Sequence, residues 1–377
     1  MPTPKQHSVA KYKAEFLSHY YEGRVRPPAA YAMGYIYRWA QLGSIDPGLT
    51  NLFLKKKTFT KLFGFSEKRT LPGLSGQTFQ NWWKKRPQKT SAPQRRKVIV
   101  WPDTFNNYFW PETARSAAEV LESLSYDVEV PLEQLCCGRP LFDFGLIDDA
   151  RRCIRKVLDT LQTSIRAGVP VVGLEPSCVS VFRDEMLDLF PHDEDARRLS
   201  EQVFTLAEFL DWESDIELPH LAGKALLHGH CHQKALAGIA SEKRILESIG
   251  LEVNTPDTGC CGMGGSLGWE AEKADLSPAI GELEIFPLVR SASYDTLIVA
   301  DGFSCRNQIE EGTKRRPLHI AEVLRLARDA EEVGLWPERD FLPQSAKPST
   351  KEIAAFAVAG GSIGAALAYL VLRRRKP

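Results

Sequence analysis

The chain has 377 residues, 43% apolar and 25% charged, which fits two ordinary globular domains and excludes low-complexity disorder. Its formal charge of zero hides an asymmetry: residues 1–96 carry 18 Lys and Arg against four acids (Glu15, Glu22, Asp46 and Glu67), and the remainder carries 30 against 44. A basic arm on an acidic body is expected to wrap that body or to meet an anionic surface. Nucleic acid is not an expected partner, because no zinc-finger, helix-turn-helix or RNA-motif pattern accompanies the charge.

Taken in chain order, residues 11–45 read as two helices broken at Pro27–Pro28, and residues 46–96 as an extended, irregular segment ending in a basic linker. From Lys97 the pattern changes. KVIVW is a strand, PETARSAAEVLESLSY a helix and DVEVP a second strand. Asp148 to Ala167 is a long helix, VPVVGLEP a third strand, and SCVSVFRDEMLDLF another helix. The order then repeats: KALLHGHC (strand), KALAGIASEKRILESIG (helix), LEVNTP (strand), a long helix over 270–290, and TLIVADGFSC (strand and turn). Cys178 precedes Cys305 by 127 positions, and Cys136–Cys137 precedes Cys260–Cys261 by 124. An internal repeat that keeps its cysteines in register predicts an α/β fold of two pseudo-twofold-related modules with largely parallel sheets. The expected domains are an arm (1–96), module one (97–215), module two (216–330), a linker (331–350) and an apolar tail helix with a basic end (351–377). Ile353–Leu372 is 20 residues without a charge, long enough to span a bilayer, with Gly360 and Gly364 spaced for helix pairing.

Eight cysteines in a chain whose first 15 residues lack the apolar core of an export signal point to a reducing compartment. Patterned thiols there serve as metal ligands or redox groups. The sharpest signal is Cys-Cys-Gly, found at Cys136–Cys137–Gly138 and Cys260–Cys261–Gly262, each after the second strand of its module. Adjacent thiolates suit a cluster, where neighbouring sulfurs reach different irons, and glycine lets the backbone come close. Each module offers a further cysteine after its third strand, Cys178 and Cys305. Module two adds Cys231, so Cys231, Cys260, Cys261 and Cys305 give four thiolates, a soft set for an iron–sulfur cluster or zinc. In module one the 127-residue offset puts Thr104 where Cys231 stands, leaving three thiols, Cys136, Cys137 and Cys178, which are expected to form a second thiol or cluster site. Cys153, on the long helix, is expected to be a core or surface residue. His230 and His232 are candidates to support the cluster from outside the ligand set, with Gly262. His228, His230 and His232 alternate with other residues along the chain, as strand positions would. The glycine-rich run from Gly262 to Gly268 is expected to carry Cys260–Cys261 to a helix N-terminus, whose N–H groups favour thiolates.

The segments CCGRPLFDFG, LEPSC, HGHCHQKA, DTGCCGMGGSLGWE and ADGFSCRNQI resemble the cysteine-rich CCG domains of heterodisulfide reductase and of the iron–sulfur components of glycolate oxidase and anaerobic glycerol-3-phosphate dehydrogenase. They are similar above all to the C-terminal region of FAD-linked 2-hydroxyacid oxidases of the D-2-hydroxyglutarate and D-lactate dehydrogenase type. The resemblance covers about residues 10–330. It implies an iron–sulfur cluster of the 4Fe–4S type on this chain, FAD on a flavoprotein or ferredoxin-type partner subunit, and electron flow from a 2-hydroxyacid to a downstream acceptor. Where the family pattern ends in C-x-x-C, this sequence has Glu175 and Gly302 at the leading positions. The expected location is a cytoplasmic body at the inner face of the cell membrane. Two other readings stand beside electron transfer: a thiol–disulfide protein using the vicinal pairs, and a scaffold that docks a flavoprotein to the membrane.

Overall fold

The computed structural model describes residues 9–87, 95–213, 216–341 and 345–350. The arm forms α1 (Val9–Tyr20), α2 (Pro28–Gly34), α3 (Ile36–Gly43), α4 (Pro47–Leu54), α5 (Lys57–Leu62) and α6 (Phe79–Lys85). It is thus more helical than expected. Tyr35 (φ −96°, ψ 25°) divides the second expected helix, and the stretch read as irregular holds three helices. Asp46 caps α4 by accepting the Leu49 N–H at 2.9 Å, and Thr78 caps α6. Helices this short are marginal alone. Packing holds them, with Phe63, Phe65, Leu71 and Leu74 set against module two. The basic arm wraps the acidic body through Lys11 to Asp184 and Asp188 (both 2.5 Å), Arg69 to Glu311 (3.2 Å) and Arg86 to Glu122 (2.5 Å).

The next stretch runs β1 (Lys97–Trp101), α7 (Thr104–Tyr108), α8 (Pro111–Ser123), β2 (Asp127–Glu129), α9 (Arg139–Asp143), α10 (Ile147–Arg166), β3 (Val171–Gly173), α11 (Pro176–Arg183), α12 (Glu185–Leu189), α13 (Glu194–Gln202), β4 (Val203–Thr205) and α14 (Leu206–Trp212). The last holds β5 (Gly223–Leu227), α15 (Cys231–Leu236), α16 (Ala240–Ser248), β6 (Leu251–Asn254), α17 (Leu276–Leu283), α18 (Ile285–Ser291), β7 (Thr296–Val299), α19 (Phe303–Thr313) and α20 (Ile320–Asp329). Three expected helices are broken in two. Gly238, at φ +79°, separates α15 from α16. Pro287 lacks the N–H that would join α17 to α18. Asp184, held by Lys11, lies between α11 and α12.

Both sheets are parallel, in the orders β2-β1-β3-β4 and β6-β5-β7. Each therefore places its first strand centrally between its second and third. The repeat runs further than the cysteines indicate. A parallel bridge from Val299 to Leu318 occupies the place of β4. Both edges lead into a helix with a capping box, Thr205 with Glu208 at α14 and His319 with Glu322 at α20.

Side chains alternate along the central strands. Val98, Val100, Ala225, Leu227, Leu297 and Val299 enter one core shared by both sheets. Ile99 and Trp101 enter an outer core of module one, and Leu226 and Ile298 an outer core of module two. The shared core is closed by exchange: α20, from module two, packs on α8 of module one, and α14, from module one, packs on α16 of module two. Each contact buries a carboxylate–threonine hydrogen bond, Thr113 Oγ1 donating to Glu322 at 2.8 Å and Thr205 Oγ1 to Glu242 at 3.1 Å. No helix among the described residues is long and apolar enough to cross a membrane. The candidate span Ile353–Leu372 lies outside the described residues.

Candidate functional site

Parallel strands bring their C-terminal ends to one edge, and the cysteines collect there. Cys231 is the first residue of α15, after β5. Cys260 and Cys261 follow β6, and Cys305 lies in the first turn of α19, after β7. These four thiols form a continuous row of neighbours: Cys231 beside Cys260, Cys260 beside Cys261, and Cys261 beside Cys305, whose sulfurs lie within 4.8 Å. Cys261 and Cys305 are buried, while Cys231 and Cys260 are exposed.

The row is electrostatically uneven. Cys260 is held well below the usual thiol range by Cys231, then by Cys261, with the Gly262 N–H also donating to its sulfur at 3.4 Å. Cys305 is lowered by Cys261, with further help from His230 and His228. Cys231 is raised by its bond to Cys260, and Cys261 by its bonds to Cys260 and then Cys305. A row in which some thiols ionise readily beside buried neighbours is a soft donor set suited to a cluster.

Glycines make room for the row. Gly262 has φ +94°, and a Cβ there would lie 2.1 Å from the Ser277 carbonyl oxygen. Gly264 and Gly265 also have positive φ, so the run turns back on itself and no helix begins at the pair. The expected helix N-terminus is not found behind Cys260–Cys261, because α17 starts only at Leu276. At Gly302, an added Cβ would fall 2.3 Å from His230 Cδ2. The imidazole occupies the space where a C-x-x-C motif would carry its first thiol.

The histidines differ from the expected pattern. The strand stops at Leu227 and His230 caps α15, so strand alternation does not apply. His230 and His232 instead stack, 5.3 Å between centroids. His232 is pushed down to about 3 by burial, then by the charge of Arg139 and by His230. His228, which sequence reasoning could not single out, is buried. Its Nδ1 is 2.9 Å from Thr258 Oγ1, and its ligand atom lies within 4.8 Å of those of Cys261 and Cys305. The only sequence clue to His228 is its position just past the last strand residue.

In module one, Cys136–Cys137–Gly138 leads directly into α9, and Gly138 (φ +82°) donates its N–H to Cys136 Sγ at 3.4 Å. Cys178 lies in the first turn of α11, with its sulfur 2.9 Å from Cys137 Sγ. Thr104 opens α7 just as Cys231 opens α15, and the capping residues before them are Asp103 and His230. Glu175 Oε2 accepts the Phe303 N–H of module two at 2.8 Å. Asp103 is pushed up to about 6 by burial, then by Glu175. Cys153, set aside by the sequence reading, is a thiol neighbour of Cys136. The two sites face one another: α11 packs on α15, and a Cβ at Gly265 would meet Asp143 Oδ2 at 3.6 Å.

Comparison with known proteins agrees with this repeat. The cysteine-rich domain of the CCG family matches residues 104–183 and again 227–310. One component of the anaerobic glycerol-3-phosphate dehydrogenase of Escherichia coli (strain K12) is 28% identical over 261 residues, 68% of this chain and 65% of the relative. D-2-hydroxyglutarate dehydrogenase of Pantoea ananatis (strain AJ13355) is 27% identical over 334 residues, 84% of this chain but 32% of the relative. Lactate utilization protein A of Bacillus subtilis (strain 168) is 29% identical over 243 residues, 60% of this chain and 98% of the relative. This chain thus spans less than two thirds of the first two relatives and nearly all of the third. Both stretches that match the CCG cysteine-rich domain are thus set in equivalent parallel sheets, and the chain is similar to that family in each of its two halves.

Proposed function

We propose that this chain is the iron–sulfur electron-transfer component of an FAD-linked oxidoreductase acting on a 2-hydroxyacid. Cys231, Cys260, Cys261 and Cys305 would hold a cluster of the 4Fe–4S type, with the flavin on a partner subunit. The observation that carries this reading is the row of four adjacent thiols at one sheet edge, two of them lowered. Two of the relatives are named for D-2-hydroxyglutarate and lactate, both 2-hydroxyacids, and the other for a glycerol-3-phosphate dehydrogenase.

When bound, such a cluster supplies one-electron storage at a tuned potential. The chain's own residues do the rest. Gly262 lets the backbone approach and donates an N–H to Cys260. His228, fixed by Thr258, and His230, fixed by the backbone of α15, place imidazoles beside the thiols and set the local charge. Cys260 and Cys231 are exposed, so they mark the face at which a partner would come within electron-transfer reach.

The test is the iron and acid-labile sulfide content, with optical and EPR spectra, of anaerobically purified wild type and Cys260→Ser. Iron and sulfide in the wild type that fall sharply in the variant are the expected result. A colourless, iron-free wild type from a host able to build clusters overturns the reading. One contact favours a second reading, dithiol exchange: the 2.9 Å approach of Cys137 and Cys178. In that case the iron-free protein would show fewer titratable thiols after mild oxidation, recovered by a dithiol reductant.

A further inference from the structure

Counted by register, module one is a thiol short, because Thr104 stands where module two has Cys231. Counted in space, it is not. The row in module two runs from an outer thiol (Cys231) to the first cysteine of the pair, then to the second, then to the cysteine of the third-strand helix (Cys305). Module one shows the same row. Cys153 lies beside Cys136, Cys136 is followed in the chain by Cys137, and the Cys137 sulfur is 2.9 Å from that of Cys178. The outer place is filled from a different element, the long helix α10.

The chain reaches this arrangement through Gly138. A Cβ on Gly138 would lie 3.2 Å from the Cα, Cβ and carbonyl oxygen of Ala150, so the glycine rests directly on α10. Cys153 is three residues further along, on the same helix face as Ala150. It packs with Leu141, Phe142, Leu146 and Ala150. The arm covers this corner, since Tyr37 packs on the same apolar cluster as Cys153 and Gln134 Nε2 donates to the Tyr37 carbonyl at 2.8 Å.

We propose that Cys153 is the fourth thiolate of module one, so that Cys136, Cys137, Cys153 and Cys178 hold a second iron–sulfur cluster beneath the arm. This rests on the reading of module two as a cluster site, because the two rows are argued to be equivalent. A thiol on α10 replaces one at the end of the first strand, and the site is more enclosed than its partner: Cys136, Cys137 and Cys178 are buried, whereas Cys231 and Cys260 are exposed.

The test uses the full chain, reconstituted without oxygen with iron and sulfide, as wild type, Cys153→Ser, Cys153→Ala, Cys231→Ser and the Cys153→Ser/Cys231→Ser double variant. Each single variant is expected to lose roughly half of the iron and sulfide and a different EPR component, and the double variant nearly all. Wild-type iron, sulfide and EPR in both Cys153 variants overturn the proposal. So does a wild type whose whole content is lost in Cys231→Ser alone, and that outcome leaves module two's cluster standing. An iron-free wild type removes both readings together. Alkylation gives a readout independent of whether the variants fold. In the loaded wild type, iodoacetamide should fail to label Cys153 and should label it after the iron is stripped by chelation. Equal labelling before and after overturns the proposal.

Discussion

Module one and module two share a strand order and a row of four thiols, yet one sets buried carboxyl groups and the other imidazoles beside them. The difference sits at equivalent register positions. Asp103 caps the helix that His230 caps in module two, Trp101 stands for His228, and Glu175 for Gly302. Near the buried carboxylates, Cys178 is pushed up to about 12: its bond with Cys137 pulls the other way, but burial, Asp103 and Glu175 outweigh it. Cys305 is lowered, first by Cys261 and further by the imidazoles of His230 and His228. A duplicated scaffold can therefore keep its sulfur geometry while its two copies diverge in the electrostatics that set a redox potential.

The glycines after the two pairs test the comparison most severely. In Gly262→Ala the new Cβ would meet the Ser277 oxygen at 2.1 Å with φ at +94°. A loss of about 4 kcal/mol or more is expected in denaturant melts. Gly138→Ala meets Ala150 at 3.2 Å with φ +82° and should cost about 1–2 kcal/mol. Equal costs would mean that the two loops are not built to different tolerances.

The two exchanged-helix contacts come next. Glu322 opposes burial with the charges of Arg306 (3.4 Å) and Arg316 and is held below the usual carboxylate range. Glu322→Gln should therefore cost about 3 kcal/mol by leaving the buried Arg306 without a carboxylate, while Arg316 keeps Glu310 at 3.6 Å. Its counterpart Glu242 is pushed up to about 8 by burial, then by Asp301. A carboxyl raised in the folded state keeps its proton there while the unfolded chain loses it, so stability falls as pH rises from its ordinary 4.5 towards about 8. Glu242→Gln should flatten that slope and be the more stable protein at about pH 8, by an amount on the order of a few kcal/mol, in urea melts across the range. A parallel pH dependence in both proteins would show Glu242 to be ionised throughout.

The smallest effects are redox ones. His230→Gln should lower the module-two potential, and Asp103→Asn raise that of module one, each on the order of tens of millivolts by EPR-monitored titration. Shifts of the same sign would remove the charge contrast between the sites.

Much of this architecture can be read from sequence where short-range chemistry decides it. Apolar runs such as KVIVW and TLIV became the strands, and cysteines in register met at one sheet edge. What could not be read depends on contacts distant in sequence. Cys153 gains meaning only once Gly138 rests on α10. His228 does so only where β5 stops. The arm helices are too short to announce themselves and owe their form to Phe63, Phe65 and Leu74 packing against the body. Pro287 and Gly238 were legible breakers, overridden in the reading by a helical periodicity on either side.

The crossing of α14 and α20 has a consequence for the history of the chain. Each half lends the other the lid of its interior, so neither half can be discarded once the pair is joined. A copy whose cofactor chemistry decays is still required as the other's scaffold. Substitutions such as a carboxylate for a histidine, or a threonine for a cysteine, can then accumulate on one side without costing the protein its fold. The same mutual lid predicts that the halves melt as one cooperative unit, in a single calorimetric transition.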